Sequence, residues 1–260
     1  MIAGDGLYGF AVVDGATTLE SDRGIDNEPL EIIESGGVGL VVSRIPMETV
    51  AQIDVDSDDL TAVAEFAQRH DTVVSAIRRT AVAAIPLRLG TVLVDRAAAL
   101  SFLREHEVEL RKGLARVAGC DEWTVILREE STARGEPVRM DSSHAPHPRK
   151  DTPSNGTEYL ALRRNQLTMA ERRHARTEQI TAELEDAISG IVADSAQPVR
   201  MRKGVAFDRT YLVRGQRKGE FLDAIDHIAR KLDQSSLALE VSGPWAAYSF
   251  ATQIQVAGDG

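Results

Sequence analysis

Cysteine is nearly absent from this 260-residue sequence, which contains only Cys120. The chain therefore cannot form an internal disulfide or a metal centre built from several cysteines. Because Cys120 directly follows Gly119 at the predicted end of a helix, a small buried side chain is a simpler interpretation than a nucleophile.

Long apolar runs are missing as well. A membrane-spanning helix needs about 20 consecutive apolar residues, and no run in this sequence approaches that length. Residues 1–6 also lack the basic start and the apolar core of a signal peptide. We therefore expect no membrane insertion and a cytoplasmic protein.

Positively charged side chains are fewer than negatively charged ones. The chain has 30 Lys and Arg residues against 40 Asp and Glu, and its formal net charge is −10. Binding to nucleic acid requires a basic face that neutralises phosphates, so we expect no nucleic-acid partner. The length and the hydrophobic content of 43% indicate a globular protein of one large or two ordinary domains.

Familiar catalytic and cofactor motifs are also absent from the sequence. There is no Gly-x-Ser-x-Gly elbow and no His-Glu-x-x-His zinc helix. Gly36, Gly37 and Gly39 lead into a predicted strand, so they cannot present helix N-terminal amides to a phosphate. The aspartates of residues 54–59 lack the glycine and the closing glutamate of a calcium loop. We therefore expect no metal and no nucleotide requirement, but catalytic groups that converge only in the fold would leave no such motif.

The first half of the chain alternates short strands with amphipathic helices. Apolar residues recur with the periods typical of each element, and Asp95 is a predicted helix cap. This order is typical of an antiparallel sheet with helices on one face, so we predict an N-terminal ferredoxin-like α+β domain over residues 1–128. The predicted strands are residues 7–13, 30–35, 38–42, 91–94 and 123–127, and the predicted helices are residues 56–77 and 95–117.

Residues 129–156 differ in composition from the rest of the chain. They contain four prolines and many polar residues with almost no apolar periodicity, which predicts an exposed linker or a long mobile loop. His144 and His147 lie in this segment, but a metal site would need further ligands held rigidly. We interpret both histidines as solvated linker residues.

The longest helical pattern covers residues 157–193. Its stripe recurs every seven residues and is weak in the middle, where His174 and Thr181 replace aliphatic residues and residues 171–176 are strongly charged. One interpretation is a long helix with a solvated middle; the alternatives are a coiled-coil helix that binds a partner or an Arg-rich face that recruits an acidic partner. The stripe consists of Leu160, Leu167, His174, Thr181 and Ile188.

The remaining residues predict a hairpin that begins at Val199 and Met201, an amphipathic helix over residues 221–232 and a closing strand over residues 237–241. Together with the long helix they form a smaller C-terminal α+β domain, which we place at residues 157–260. The predicted fold class is therefore α+β with two domains joined by the linker.

An apolar segment at residues 84–94 organises the first half of the chain. Pro86 ends the preceding helical pattern, because the residue before a proline disfavours helix. Arg88 is the one charge in the apolar run up to residue 94; it either reaches the surface or pairs with a carboxylate, or it holds an interaction surface in shape. Gly90 and Thr91 complete the candidate site residues of this segment.

A second unusual segment, residues 243–250, holds three aromatic rings in a chain that is only 5% aromatic. Pro244 fixes the backbone direction, and Gly243 permits a turn into it. We favour rings that pack back onto the protein, which predicts a steep loss of stability for Trp245→Ala. The alternative is that one or more of the rings stay exposed as a binding anchor. The rings are Trp245, Tyr248 and Phe250.

Together the two segments resemble those of the gas vesicle accessory proteins of the F/L type (GvpF/GvpL). The usual family form has Phe where this chain has Leu89, and prolines where it has Ala246 and Ala247. The resemblance covers nearly the whole chain apart from residues 128–156. It marks the candidate residues of both segments as family motif positions with a structural or an interaction role.

The resemblance implies a role in gas vesicle assembly without a cofactor and without enzyme activity. The implied partners are the main gas vesicle shell protein and other gas vesicle accessory proteins, and the implied location is the cytoplasm, in association with gas vesicles. A small-molecule enzyme or a ligand-binding regulator is the alternative, because ferredoxin-like sheets host both. A pocket with converging titratable groups would favour that alternative, and a flat apolar or charged patch would favour assembly.

Overall fold

A computed structural model describes residues 5–19, 23–46, 60–129, 156–198, 204–232 and 237–251. Within these residues, nine strands form two antiparallel sheets that pack with five α-helices. The predicted α+β class is confirmed. Some sequence predictions lie outside the described residues: the linker over residues 130–155 with His144 and His147, the helix start at residues 56–59, and the strand start at Val199 and Met201.

The first sheet is built around two long strands that are apolar on both faces. Its strand order is β2-β3-β1-β4, and β5 pairs with β1 further along the edge that β4 occupies. The β2–β3 turn has φ values of +59° at Gly36 and +76° at Gly37, left-handed values that favour glycine. The strands are β1 (Asp5–Asp14), β2 (Leu30–Ser35), β3 (Val38–Pro46), β4 (Ala84–Pro86) and β5 (Val92–Leu93).

Helices lie on both faces of the first sheet, where the sequence predicted only one. Phe66 of the first helix packs on the face that carries Phe10, and Leu103 and Leu110 pack on the face that carries Val12. Both faces need cover because β1 and β3 are apolar on each side. The helices are α1 (Leu60–Thr80), α2 (Arg96–Glu105) and α3 (Glu107–Val117).

The predicted helix over residues 95–117 is capped as expected but interrupted. The Asp95 carboxylate accepts a hydrogen bond from the Ala98 backbone N–H at 2.8 Å, which satisfies one of the free amides at the helix start. At His106 the backbone departs from helical values, with φ −109° and ψ 11°. The interruption divides the predicted helix into α2 and α3.

The second sheet has the strand order β7-β8-β6-β9. Leu184 and Ile188 of its long helix and Phe221 of its second helix pack on the face that carries Trp123 and Phe207. A short 3₁₀ turn, Gly215–Arg217, precedes the second helix. The elements are β6 (Cys120–Glu129), α4 (Gly156–Ser189), β7 (Val192–Ala196), β8 (Val205–Arg214), α5 (Lys218–Leu232) and β9 (Leu237–Trp245).

The strand predicted at residues 123–127 belongs to the second sheet and not to the first. It is part of β6, which pairs antiparallel with β8 and β9. The order β6-α4-β7-β8-α5-β9 is the complete ferredoxin-like β-α-β-β-α-β arrangement. The first sheet has the same relative strand order. Because β6 belongs to the second sheet, the predicted first unit, residues 1–128, includes a strand of the second sheet.

The two sheets are tied together by contacts between their elements. Arg78 of α1 forms an ion pair with Asp121 of β6, and the Arg116 Nε of α3 lies 2.7 Å from an Asp194 carboxylate oxygen of β7. Leu212 of β8 packs into the core of the first sheet. Each sheet therefore supplies side chains that the other one buries or neutralises.

Cleavage of the chain within residues 130–155 should leave two fragments that stay together. The N-terminal fragment would carry β6, which pairs with β8 along most of its length and with β9 on its other edge. Limited proteolysis followed by size-exclusion chromatography checks this. The fragments should co-elute in native buffer and separate only in denaturant; separation in native buffer would contradict the shared sheet.

Candidate functional site

The first candidate segment, residues 86–91, lies along the edge of β1. Pro86 is buried and pairs with Ala11. The Leu87 N–H donates to the Phe10 carbonyl at 2.8 Å, and the Gly9 N–H donates to the Thr91 carbonyl at 2.9 Å. Hydrogen bonds at both ends therefore hold this segment on β1.

Between these ends the chain makes a turn that exposes Arg88. The Thr91 N–H and hydroxyl both donate to the Arg88 carbonyl, at 3.1 Å and 2.7 Å. Gly90 has a φ of +81°, a value that a residue with a Cβ adopts only with strain. The Arg88 side chain is exposed and forms no ion pair with any residue in the described ranges, in keeping with the surface interpretation.

A buried chain of hydrogen bonds connects this turn to β1 and to α1. The Gly90 N–H donates to the Tyr8 hydroxyl at 3.2 Å, and that hydroxyl lies 2.9 Å from Nδ1 of His70 on α1. Burial raises the pKa of Tyr8 to about 12 and lowers the pKa of His70 to about 4. Both side chains are therefore neutral near pH 7, and Nδ1 accepts the Tyr8 proton when the imidazole proton is on Nε2.

His70 is a core residue. It is 2% exposed, and its ring stacks on Phe10 with centroids 5.7 Å apart. The Leu87 backbone opposes the fall of the pKa, and the buried Nε2 has no hydrogen-bond partner among the described residues. The buried histidine and tyrosine thus fix the position of the turn at Gly90.

The second candidate segment begins at the end of β9. Gly243 has a φ of +142°, and a Cβ on it would lie 2.8 Å from the Glu122 carbonyl oxygen and 2.9 Å from the Trp123 ring. Only glycine fits there without movement of the backbone or the ring. The Gly243–Pro244 peptide is cis, and the chain then leaves the sheet at Trp245.

Beyond Trp245 the chain turns back into the first sheet's core. Ala246 packs with the cluster on the α1 face, whereas Ala247 and Phe250 pack with the cluster on the α2 and α3 face. The Phe250 ring is 1% exposed, and the Arg116 guanidinium lies 5.3 Å from its centroid. The segment therefore reaches both cores of the first sheet from a strand of the second.

A buried glutamate anchors the same segment, and sequence reasoning missed it. The Glu122 carboxylate on β6 accepts hydrogen bonds from the Ser249 N–H at 2.8 Å and from the Ser249 hydroxyl at 2.9 Å. Burial raises the pKa of Glu122, and these two hydrogen bonds oppose the rise. An acidic residue next to a predicted strand gives no sequence signal of such a partner.

Two of the three aromatic rings remain partly exposed, in contrast to the favoured prediction. Trp245 is 44% exposed and Tyr248 is 37% exposed; we call this pair the aromatic patch. The Tyr248 hydroxyl lies 3.4 Å from a carboxylate oxygen of Asp71, next to His70. Both motif segments therefore meet at residues 70 and 71 of α1.

The described ranges lack two features that would mark other kinds of site. No group of three or more His, Cys, Asp or Glu side chains there is arranged to hold a metal ion. None of the described helices combines the length and the apolar character that crossing a membrane requires.

The arrangement defines a two-sheet α+β protein whose paired motif segments join the sheets and carry a small aromatic surface. Two crystal structures share this fold. GvpF from Anabaena matches with a TM-score of 0.69 at 19% identity, covering 97% of this chain and 98% of its own. GvpF from Microcystis aeruginosa matches with a TM-score of 0.66 at 16% identity, covering 95% and 99%.

The sequence comparison identifies the family. The family model "Gas vesicle synthesis protein GvpL/GvpF" matches residues 6–252, so the chain belongs to the GvpL/GvpF family of gas vesicle accessory proteins. Gas vesicle protein L of a Streptomyces species is 27% identical, covering 89% of this chain and 86% of its own length. Gas vesicle protein L1 of Halobacterium salinarum is 25% identical, covering 96% and 92%.

Proposed function

We propose that this protein acts in gas vesicle assembly by direct contact with the main shell protein or with other accessory proteins, in the cytoplasm at gas vesicles. Membership of a gas vesicle synthesis family supports the vesicle role. The observation that supports direct contact is the aromatic patch: Trp245 and Tyr248 are partly exposed in a segment whose other apolar side chains are buried.

The physical chemistry of the aromatic patch suits a binding anchor. Trp and Tyr dominate the binding energy of many interfaces, because they offer large contact areas with few rotatable bonds. Here the backbone beneath them is fixed by buried Phe250 and by the hydrogen bonds between Glu122 and Ser249. Folding has therefore already ordered the segment that carries the two rings, so a partner that binds them causes little further loss of conformational entropy.

The net charge of the chain suits an apolar partner. At −10, the protein carries enough like charge to keep a complex with an aggregation-prone protein dispersed. The aromatic patch would supply the contact, and the acidic surface would keep the resulting complex in solution.

Trp245→Ala should weaken binding to the shell protein by about 10-fold to 30-fold, the loss typical of an aromatic interface anchor. Because the ring is partly exposed, the melting temperature should fall far less than the loss of a buried Trp would cause. Binding to purified shell protein and vesicle formation in cells that carry the variant are the measurements.

The matched control is Val108→Ala, at an exposed apolar residue of α3 outside the patch. That variant should bind the shell protein as the wild type does. Unchanged shell-protein binding and normal vesicles with Trp245→Ala would contradict the proposed contact.

A further inference from the structure

The described side chains in the N-terminal part of α4 lie outside both cores. The helix has 34 residues, which corresponds to a length of about 50 Å at 1.5 Å per residue. Among its described side chains, the first buried one is Thr177, followed by Ile180, Leu184 and Ile188. Roughly 30 Å of helix therefore precedes its first described buried side chain.

Two leucines are exposed on this part of the helix. Leu160 is 67% exposed and Leu167 is 52% exposed, and their spacing of seven places them on one face. A straight helix drifts by about 20° per heptad, so a stripe that is buried at Ile188 has rotated by about 80° at Leu160. The leucines thus lie one heptad apart, as successive a or d residues of a coiled coil do, and are turned away from the second sheet's core.

Positive charge flanks the leucine seam. Arg163 and Arg164 lie on its two sides, and Arg172 follows; all three are exposed. None of the three forms an ion pair with a residue in the described ranges. Residues 156–176 contain five arginines and two glutamates, in a chain whose net charge is −10.

We infer that residues 156–176 of α4 dock an acidic amphipathic helix of another protein. The partner's apolar stripe would cover Leu160 and Leu167, and its flanking carboxylates would pair with Arg163 and Arg164. Flanking charges of this kind set partner choice in coiled coils. The inference goes beyond the proposed function, since it concerns a surface other than the aromatic patch.

Charge favours this occupant over two others. A second copy of the chain would bring its own arginines against Arg163 and Arg164, and like charges at such positions are destabilising. Residues 130–155 of the same chain carry four basic and four acidic side chains, so they offer no excess of negative charge.

The test uses the full-length protein and a labelled 21-residue helical peptide with Leu at the seam positions and Glu at the flanking positions. A matched peptide has Lys in place of each Glu. The acidic peptide should bind at least 10-fold more tightly than the basic one, and added salt should weaken its binding. Fluorescence anisotropy measures both affinities.

Two variants locate the site. The double variant Leu160→Gln/Leu167→Gln should bind the acidic peptide at least 10-fold more weakly with an unchanged melting temperature, whereas Val108→Gln should bind normally. Arg163→Glu/Arg164→Glu should reverse the preference and select the basic peptide.

Equal binding of both peptides, or binding of neither, would overturn the inference. So would a dimer seen in sedimentation that Leu160→Gln/Leu167→Gln abolishes, because a second copy would then be the occupant. Trp245→Ala should bind the acidic peptide as the wild type does, because Trp245 lies outside residues 156–176. The peptide result therefore stands whether or not Trp245 binds the shell protein.

Discussion

Phe250→Ala should lower the free energy of unfolding by about 3–5 kcal/mol, the usual cost of removing a buried phenylalanine ring. The ring is 1% exposed and lies in the core of the first sheet, although it follows a strand of the second. For a chain of this size, each kcal/mol corresponds to about 2–4 °C in melting temperature. Thermal and denaturant unfolding should both show the loss.

Trp245→Ala is the matched comparison for this prediction. The sequence favoured a buried Trp245 and therefore a steep loss on its removal, but the ring is 44% exposed. The large loss of stability that the sequence predicted for Trp245→Ala is therefore expected for Phe250→Ala instead. Equal losses in the two variants, or a larger loss for Trp245→Ala, would contradict the structural account.

Local patterns predicted most elements of the fold but not their partners. The paired strands on either side of Gly36–Gly37 and the Asp95 cap each depend on neighbours in sequence, and each was found where it was predicted. Whether β6 joins the first or the second sheet depends on β8 and β9, which follow it by many residues. The alternation of residues 123–127 is the same in either sheet.

The candidate site shows the same limit. Both motif segments could be found from sequence, because proline, glycine and clustered aromatics are unusual at those positions. Their supports could not, since Gly90 and Tyr8 are 82 residues apart and Ser249 and Glu122 are 127 residues apart. Such pairs leave no periodic signal in one sequence.

The aromatic segment illustrates why burial was misjudged. Spacings of three and two residues between its rings do not define one face of a helix or a strand. In the structure the turn after Ala246, with hydrogen bonds from Tyr248 and Phe250 to preceding carbonyls, directs Phe250 inward and leaves Trp245 and Tyr248 partly exposed.

His70 should make the protein sensitive to mild acid. Burial lowers its pKa from 6.5 to about 4, so between these pH values the unfolded chain binds a proton that the folded chain does not. Stability is therefore full above pH 6.5 and falls as the pH falls toward 4. At about 1.4 kcal/mol per pKa unit, His70 accounts for a loss of about 3 kcal/mol.

His70→Gln isolates this contribution, because a glutamine oxygen can accept the Tyr8 proton without titrating. The variant should be less stable than the wild type at pH 7, since it loses the stack on Phe10, and the difference should shrink or reverse by pH 4. Other carboxylates titrate in both proteins and cancel in the comparison. Denaturant unfolding at several pH values measures the difference.

The matched control is His227→Gln, which makes the same substitution at an exposed position of α5. A gap between wild type and His70→Gln that stays constant from pH 7 to pH 4 would contradict the lowered pKa of His70. It would mean that the imidazole protonates in the folded protein as readily as in the unfolded chain, and a protonated Nδ1 cannot accept the tyrosine proton.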